Sequence, residues 1–144
     1  MRKPVKKRKP LRKKRKKTSL LDIAKEVCED AWKKACLRRD KNTCQVHGAS
    51  CQGNLQVDHF RSRRHGHTFF MHQNGTTVCA GLNRDKAMGW NNAAERIGFV
   101  VLKREGQATV DYLLELSRQP KKWSIIELEN QTHNLNGLFL EKSK

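Results

Sequence analysis

Nowhere in the 144 residues does an apolar run approach the ~20 residues that a membrane-spanning helix needs. No apolar h-region follows the N-terminal charges either, so the reading carries no secretory leader, no membrane partner and a cytoplasmic location. Aromatic residues make up 6% of the chain, with a single Tyr. Few rings beyond Phe60, Phe69 and Phe70 are left over for stacking bases, which weighs against an RNA-binding zinc-knuckle protein. The cysteines number five, an odd count in a chain with no export signal, which argues against a disulfide framework. Metal ligation or burial in a reducing compartment fits them better. Internal repeats, a P-loop, a dinucleotide fingerprint and a Gly-x-Ser-x-Gly elbow are all missing, and each absence removes an enzyme class.

Acidic residues are wholly missing from residues 1–17, which hold twelve Lys and Arg. That stretch cannot pack, because like charges repel and there is almost nothing apolar to bury. It reads as a disordered basic arm that grips phosphates without reading sequence, Lys13 and Arg15 among its contacts; a solubility tail is the plainer alternative. Of the formal charge of +17, the other 127 residues still carry +5, from nineteen basic and fourteen acidic groups. A basic body behind a basic arm favours nucleic acid as partner. The remaining 18–144 are long enough for one domain.

Behind the arm, Ser19 with Asp22 three residues on reads as a helix start. Leu20, Ile23, Ala24, Val27, Cys28, Ala31, Trp32, Ala35 and Cys36 then recur at helical spacing to about Arg39, predicting one apolar stripe. On that stripe Cys28 and Cys36 read as small buried hydrophobes and Trp32 as core. Leu55–Phe60 reads as a strand, Gly75–Val78 as a second, and Ala80–Met88 as a short helix. Ala93–Lys103 has an apolar pattern interrupted by Gly98, which leaves its boundary and type open, and Ala108–Ser117 is helical up to Pro120. Ser124 with Glu127, and Trp123 opposite Leu128, open a last helix. Trp90 and Trp123 read as packing residues.

The stretch 55–86, LQVDHFRSRRHGHTFFMHQNGTTVCAGLNRDK, organises the rest. Asp58 lies beside His59, and Asn83 returns on a helix. Two oxygen ligands suit a hard cation such as Mg²⁺, or Mn²⁺, and leave His59 to deprotonate a water. Asn74-Gly75 is a turn signal. Arg61, Arg63 and Arg64 in the connecting loop are candidate phosphate contacts, Arg because its fork matches phosphate oxygens. Lys86, three residues after Asn83, shares its helix face and is another. His65, His67 and His72 read as solvent-facing or phosphate-contacting rather than metal ligands.

With Asp58-His59, Asn74 and Asn83 at these spacings, the stretch resembles the HNH endonuclease motif, the ββα-metal unit. The resemblance implies an α+β fold with a ββα-metal core, motif 44–88, flanked by an N-terminal helix and a helical extension over 91–141. It implies that His59 is the general base, Asp58 and Asn83 hold the catalytic cation, and Asn74 braces the loop. The helical ERIG…VDYLLEL stretch followed by KKWSIIELEN resembles, loosely, the phage Rap/NinG recombination nucleases. That wider likeness implies a phage-encoded nuclease in the host cytoplasm acting on branched DNA. Zinc-bearing HNH proteins carry two Cys-x-x-Cys pairs; here they read Cys44-Gln-Val-His47 and Cys79-Ala-Gly-Leu82. Leu82 cannot ligate, and Cys51 is the replacement that completes a Cys₃His structural zinc site; burial of a degenerate knuckle is the alternative. The rival to catalysis is a DNA-binding module on a decayed HNH fold. Oligomeric state is left unassigned.

Overall fold

The computed structural model describes residues 18–140. The arm over 1–17, with Lys13 and Arg15, lies outside the described residues. Helix α1 (Leu20–Arg39) begins where the capping residues place it: the Ser19 hydroxyl accepts from the Asp22 amide at 3.1 Å, and the Asp22 carboxylate accepts from the Ser19 amide. It ends at Asp40, after which Lys41 and Asn42 turn the chain with positive φ. Strand β1 (Leu55–His59) pairs antiparallel with β2 (Gly75–Cys79), Leu55 opposite Cys79 and His59 opposite Gly75. A 3₁₀ turn over His72–Asn74 leads into β2, and α2 (Ala80–Met88) follows it directly. Helices α3 (Ala93–Glu105), α4 (Gln107–Ser117) and α5 (Ile125–Gly137) complete the described residues. The described residues are therefore α+β, five α-helices around a two-stranded antiparallel sheet.

The sheet has an apolar cluster on each side. Trp32, Cys28 and Cys36 of α1 join Val57, Phe70, and Leu128 and Leu135 of α5. Val78, Leu82 and Ile97 form the second cluster with Cys44, Cys79 and Ala93, and α2 and α3 close it off. Fully burying a Leu or Val side chain contributes roughly 1.5–3 kcal/mol, so each such residue in the two clusters adds on that order. Cys28 and Cys36 are buried as expected, and burial pushes the Cys36 thiol up to about 12. Trp123 packs against the first cluster, edge-on to Phe70. Gly75 is required where it stands: a Cβ there would lie 2.5 Å from the Cys36 sulfur and 2.7 Å from the Trp32 ring.

Two expectations differ. The α1 stripe is buried only from Cys28 onward; Leu20 is 75% and Val27 53% exposed, because nothing among the described residues covers that end of the helix fully. Trp90 is 52% exposed and is not a packing residue. The stretch around Gly98, left open by the pattern, is one helix, since α3 runs through it. No helix among the described residues is long and apolar enough to cross a membrane.

Candidate functional site

Alternation along β1 puts Gln56 and Asp58 on the sheet face toward α2, and Val57 and His59 on the face toward α1. On α2, Asn83 and Lys86 are three apart and share one helix face. The two pairs meet rung by rung. Asn83 Nδ2 donates to Gln56 Oε1 at 2.7 Å, and Lys86 Nζ donates to Asp58 Oδ2 at 2.5 Å and to the His59 carbonyl at 2.6 Å. Asp58 and Asn83 thus lie on the same face, but each is engaged by another side chain. Gln56 is not among the residues that the motif singles out, although its position two residues before Asp58 is a signal that strand alternation provides. Lys86 is bonded to a carboxylate, neither solvated nor turned outward to a phosphate.

His59 lies on the other face, buried, with its ring stacked on Trp32 at 4.0 Å and 14°. Its Nε2 sits 3.0 Å from the Phe69 carbonyl, which only accepts, so that nitrogen carries the proton and Nδ1 keeps its lone pair. Burial pushes the imidazole down to about 4; Arg63 and Lys86 add to the fall, while the Phe69 carbonyl and the Glu29 carboxylate oppose it. The ring is therefore neutral at physiological pH.

Asn74 is fully buried and ties the β1–β2 connection together. Its Oδ1 accepts from the Arg61 amide at 2.6 Å, and its Nδ2 donates to the carbonyls of Arg61 and Thr68 at 3.1 and 3.0 Å. It closes a 3₁₀ turn, with no Asn-Gly hairpin turn formed. Arg61 and His65 are held inward against the end of α4: Arg61 Nε donates to the Ser117 hydroxyl at 3.1 Å, and His65 Nδ1 lies 2.6 Å from the Ser117 carbonyl. Neither faces outward as a phosphate contact would. Arg63 and Arg64 are exposed, and Arg63 pairs with Glu29 at 3.1 Å. His72 is half-buried against Phe139, its pKa lowered by burial and by Arg39.

A charged clamp that no local pattern announced holds the start of β2. Arg39 forms a fork to the Asp40 carboxylate at 2.7 and 2.9 Å and donates to the carbonyls of His72 and Gly75. Arg104 of α3 donates to the Gln73 and Gly75 carbonyls at 3.0 Å, and Asp40 accepts from the Thr77 amide at 2.9 Å. Arg39 and Asp40 lie far from Arg104 in sequence, and only the fold makes them neighbours.

The knuckle brings four expected ligands together. One ligand atom from each of Cys44, His47, Cys51 and Cys79 lies within 4.8 Å of all the others, and the group can hold a metal ion. His47 Nδ1 is 3.4 Å from the Cys79 sulfur and 3.8 Å from that of Cys51. Two ligands about 2.3 Å from a tetrahedral zinc stand roughly 3.8 Å apart, so small movements suffice to close the set. Gly48 takes φ +74 and its amide bonds back to the Cys44 carbonyl at 2.8 Å, which makes the tight turn. Burial opposes ionisation of Cys44, but the amides of His47, Val46 and Cys79 outweigh it and hold this thiol below its ordinary value. For Cys51 the Gly53 amide favours the thiolate, yet burial and the neighbouring sulfurs prevail and raise it. Such crowding of sulfurs is relieved when a cation binds, because ligation takes the thiols as thiolates.

Comparison of the chain with protein-family models, curated proteins and solved structures gives no match.

Proposed function

We propose that the chain is a metal-dependent HNH endonuclease that hydrolyses DNA phosphodiester bonds, with a structural zinc on Cys44, His47, Cys51 and Cys79. The observation that carries the reading is the junction of β1 and α2. Two oxygens, Asp58 Oδ2 and the His59 carbonyl, surround one positive centre, the Lys86 ammonium, while the His59 imidazole, on the other face of the strand, is neutral. The donor set fits a hard cation, Mg²⁺ or Mn²⁺, once Lys86 swings aside and Asn83 turns its amide oxygen inward. Such a cation, when bound, neutralises charge on the pentacovalent phosphorus and the leaving 3′-oxygen.

Everything else falls to the chain's own groups. His59 Nδ1 takes the proton of the attacking water, with Nε2–H held by the Phe69 carbonyl so that the ring cannot turn. Burial makes His59 a weak base in the free protein, and a phosphodiester anion brought opposite raises it toward neutrality. Asn74 fixes the loop that carries Phe69 by bonding both Arg61 and Thr68. The wider resemblance to the Rap/NinG nucleases supports branched DNA as substrate. Buried Cys28 and Cys36 take no part.

The test is cleavage of linear, nicked, flapped and four-way DNA with Mg²⁺. His59→Ala is expected to lower the rate by about 10²–10⁴, the usual contribution of a general base, with DNA affinity nearly unchanged. His59→Asn, which keeps a donor toward Phe69, guards against a folding artefact. DNA binding by the wild type with no cleavage under any divalent cation would replace this reading with the decayed, non-catalytic module.

A further inference from the structure

A second basic surface lies on the His59 side of the sheet, away from Lys86. It is a groove of about 980 Å³ between the N-terminal half of α1, the 63–70 loop and the segment after α4. Among the described residues its walls carry Lys25, Arg63, Arg64, Lys121 and Lys122 against one carboxylate, Glu29. Glu29 is already bonded to Lys33 and Arg63, and Lys121 to Glu127, so the outward field comes from the remaining cations. The floor is aromatic: Phe69, Phe70 and Trp123, with Phe70 packed edge-on to both neighbours. Behind this lining the Phe69 ring stands 4.9 Å from that of the buried His59. Leu21, four residues after the basic stretch 1–17, also lines the groove.

We propose that this groove binds a short unpaired segment of single-stranded DNA, its phosphates on Lys25, Arg64 and Lys122 and a base against the Phe69–Trp123 floor. Cations above an aromatic floor are the arrangement by which single strands are held. In a duplex the faces of the bases are covered by their neighbours, so an aromatic floor is reached only by unpaired nucleotides. The volume lies at the upper end of the roughly 300–1,000 Å³ that hold a drug-sized ligand, enough for a nucleotide with its flanking phosphates. The choice of DNA over RNA rests on the nuclease reading above. Given that reading, the groove explains what a branched substrate offers that linear duplex does not: an unpaired strand.

The experiment measures anisotropy of labelled oligothymidine, oligouridine and a duplex of equal length with full-length protein, across a salt series and without added divalent cation. Lys25→Ala/Lys122→Ala changes two exposed side chains. The variant is expected to bind the single strand about tenfold more weakly, with a salt slope shallower by about 1.4, because each phosphate contact contributes about 0.7 on single strands. Duplex affinity should fall less. Independently, an oligonucleotide carrying 5-iodouracil should photocrosslink to Phe69 or Trp123 of the wild type. Unchanged single-strand affinity in the double variant, crosslinks confined to other peptides, or tighter binding of oligouridine would each overturn the proposal. The same samples assayed with Mg²⁺ separate the two ideas. Groove binding without cleavage removes the nuclease reading alone, and cleavage with an unaffected double variant removes the groove alone.

Discussion

Lys86 has a more demanding position than any other single residue near the site. Its ammonium is bonded to Asp58 and to the His59 carbonyl, so it already balances the charge that a divalent cation would balance. On the proposed function, Lys86 and a divalent cation would compete for one carboxylate. Lys86→Met leaves Asp58 largely buried without its partner, and without divalent cation the stability should drop by about 2 kcal/mol, between an exposed and a fully buried pair. Added Mg²⁺ should then restore part of that stability, and calorimetry should show it binding about tenfold more tightly than to the wild type, a difference of about 1.4 kcal/mol. Equal Mg²⁺ affinity in the two proteins would mean that the cation does not use Asp58. Asn74 makes the opposite point at the same scale. All its amide groups are satisfied inside the loop, so its place in the site is one of positioning and not of contact with substrate.

Among the elements, the knuckle is the one whose own sequence is least able to hold it. Residues 44–53 contain no regular element, and only Cys44 is buried among its ligand-type residues. The fourth ligand comes from Cys79, the residue on which β2 ends and α2 begins, so a metal there would pin the loop to the hairpin. Protein purified without chelator should carry one zinc per chain. Stripping it should lower the melting temperature and raise amide exchange in 44–53 and 77–82, while the α1–α5 pair stays protected, since ligation contributes folding free energy locally. Protein free of zinc, or uniform loss of protection, would leave the cysteines as buried hydrophobes. Helix α5 depends on a different device at each end. Ser124 and Glu127 cap its start, and Arg38 of α1 donates to the Leu135 and Leu138 carbonyls at its close.

Across the whole molecule, charge is divided between an arm and a body. Deleting residues 1–17 removes twelve positive charges and should leave a protein that folds and keeps its chemical step at saturating DNA. Affinity should fall, and the log–log salt slope with it, by about 0.9 for each duplex phosphate that the arm had neutralised. Because the charges need not all engage at once, the change should be smaller than twelve phosphates would produce. Binding of one DNA across a salt series, for full-length and shortened protein, decides the matter; identical slopes would make the arm a solubility tail.

Sequence alone determined what depends on neighbours along the chain. The capping boxes at Ser19 and Ser124, the two strands, and α2 over Ala80–Met88 all follow from local pattern, because capping and alternation involve residues only a few positions apart. The four knuckle ligands were likewise legible as residue types, and the structure brings their atoms within reach of one metal. Only the tertiary structure decided which partner each polar group takes. It put Lys86 on Asp58, Gln56 on Asn83, Ser117 on Arg61, and the Arg39–Asp40–Arg104 clamp on the start of β2. It also left Val27 and Trp90 exposed, since periodicity says which face of a helix is apolar but not whether another element arrives to cover it. The physical reason is the same throughout. Local rules fix the conformation of a segment, whereas a long side chain chooses among all oxygens the fold brings within its reach, and those are set by segments distant in sequence.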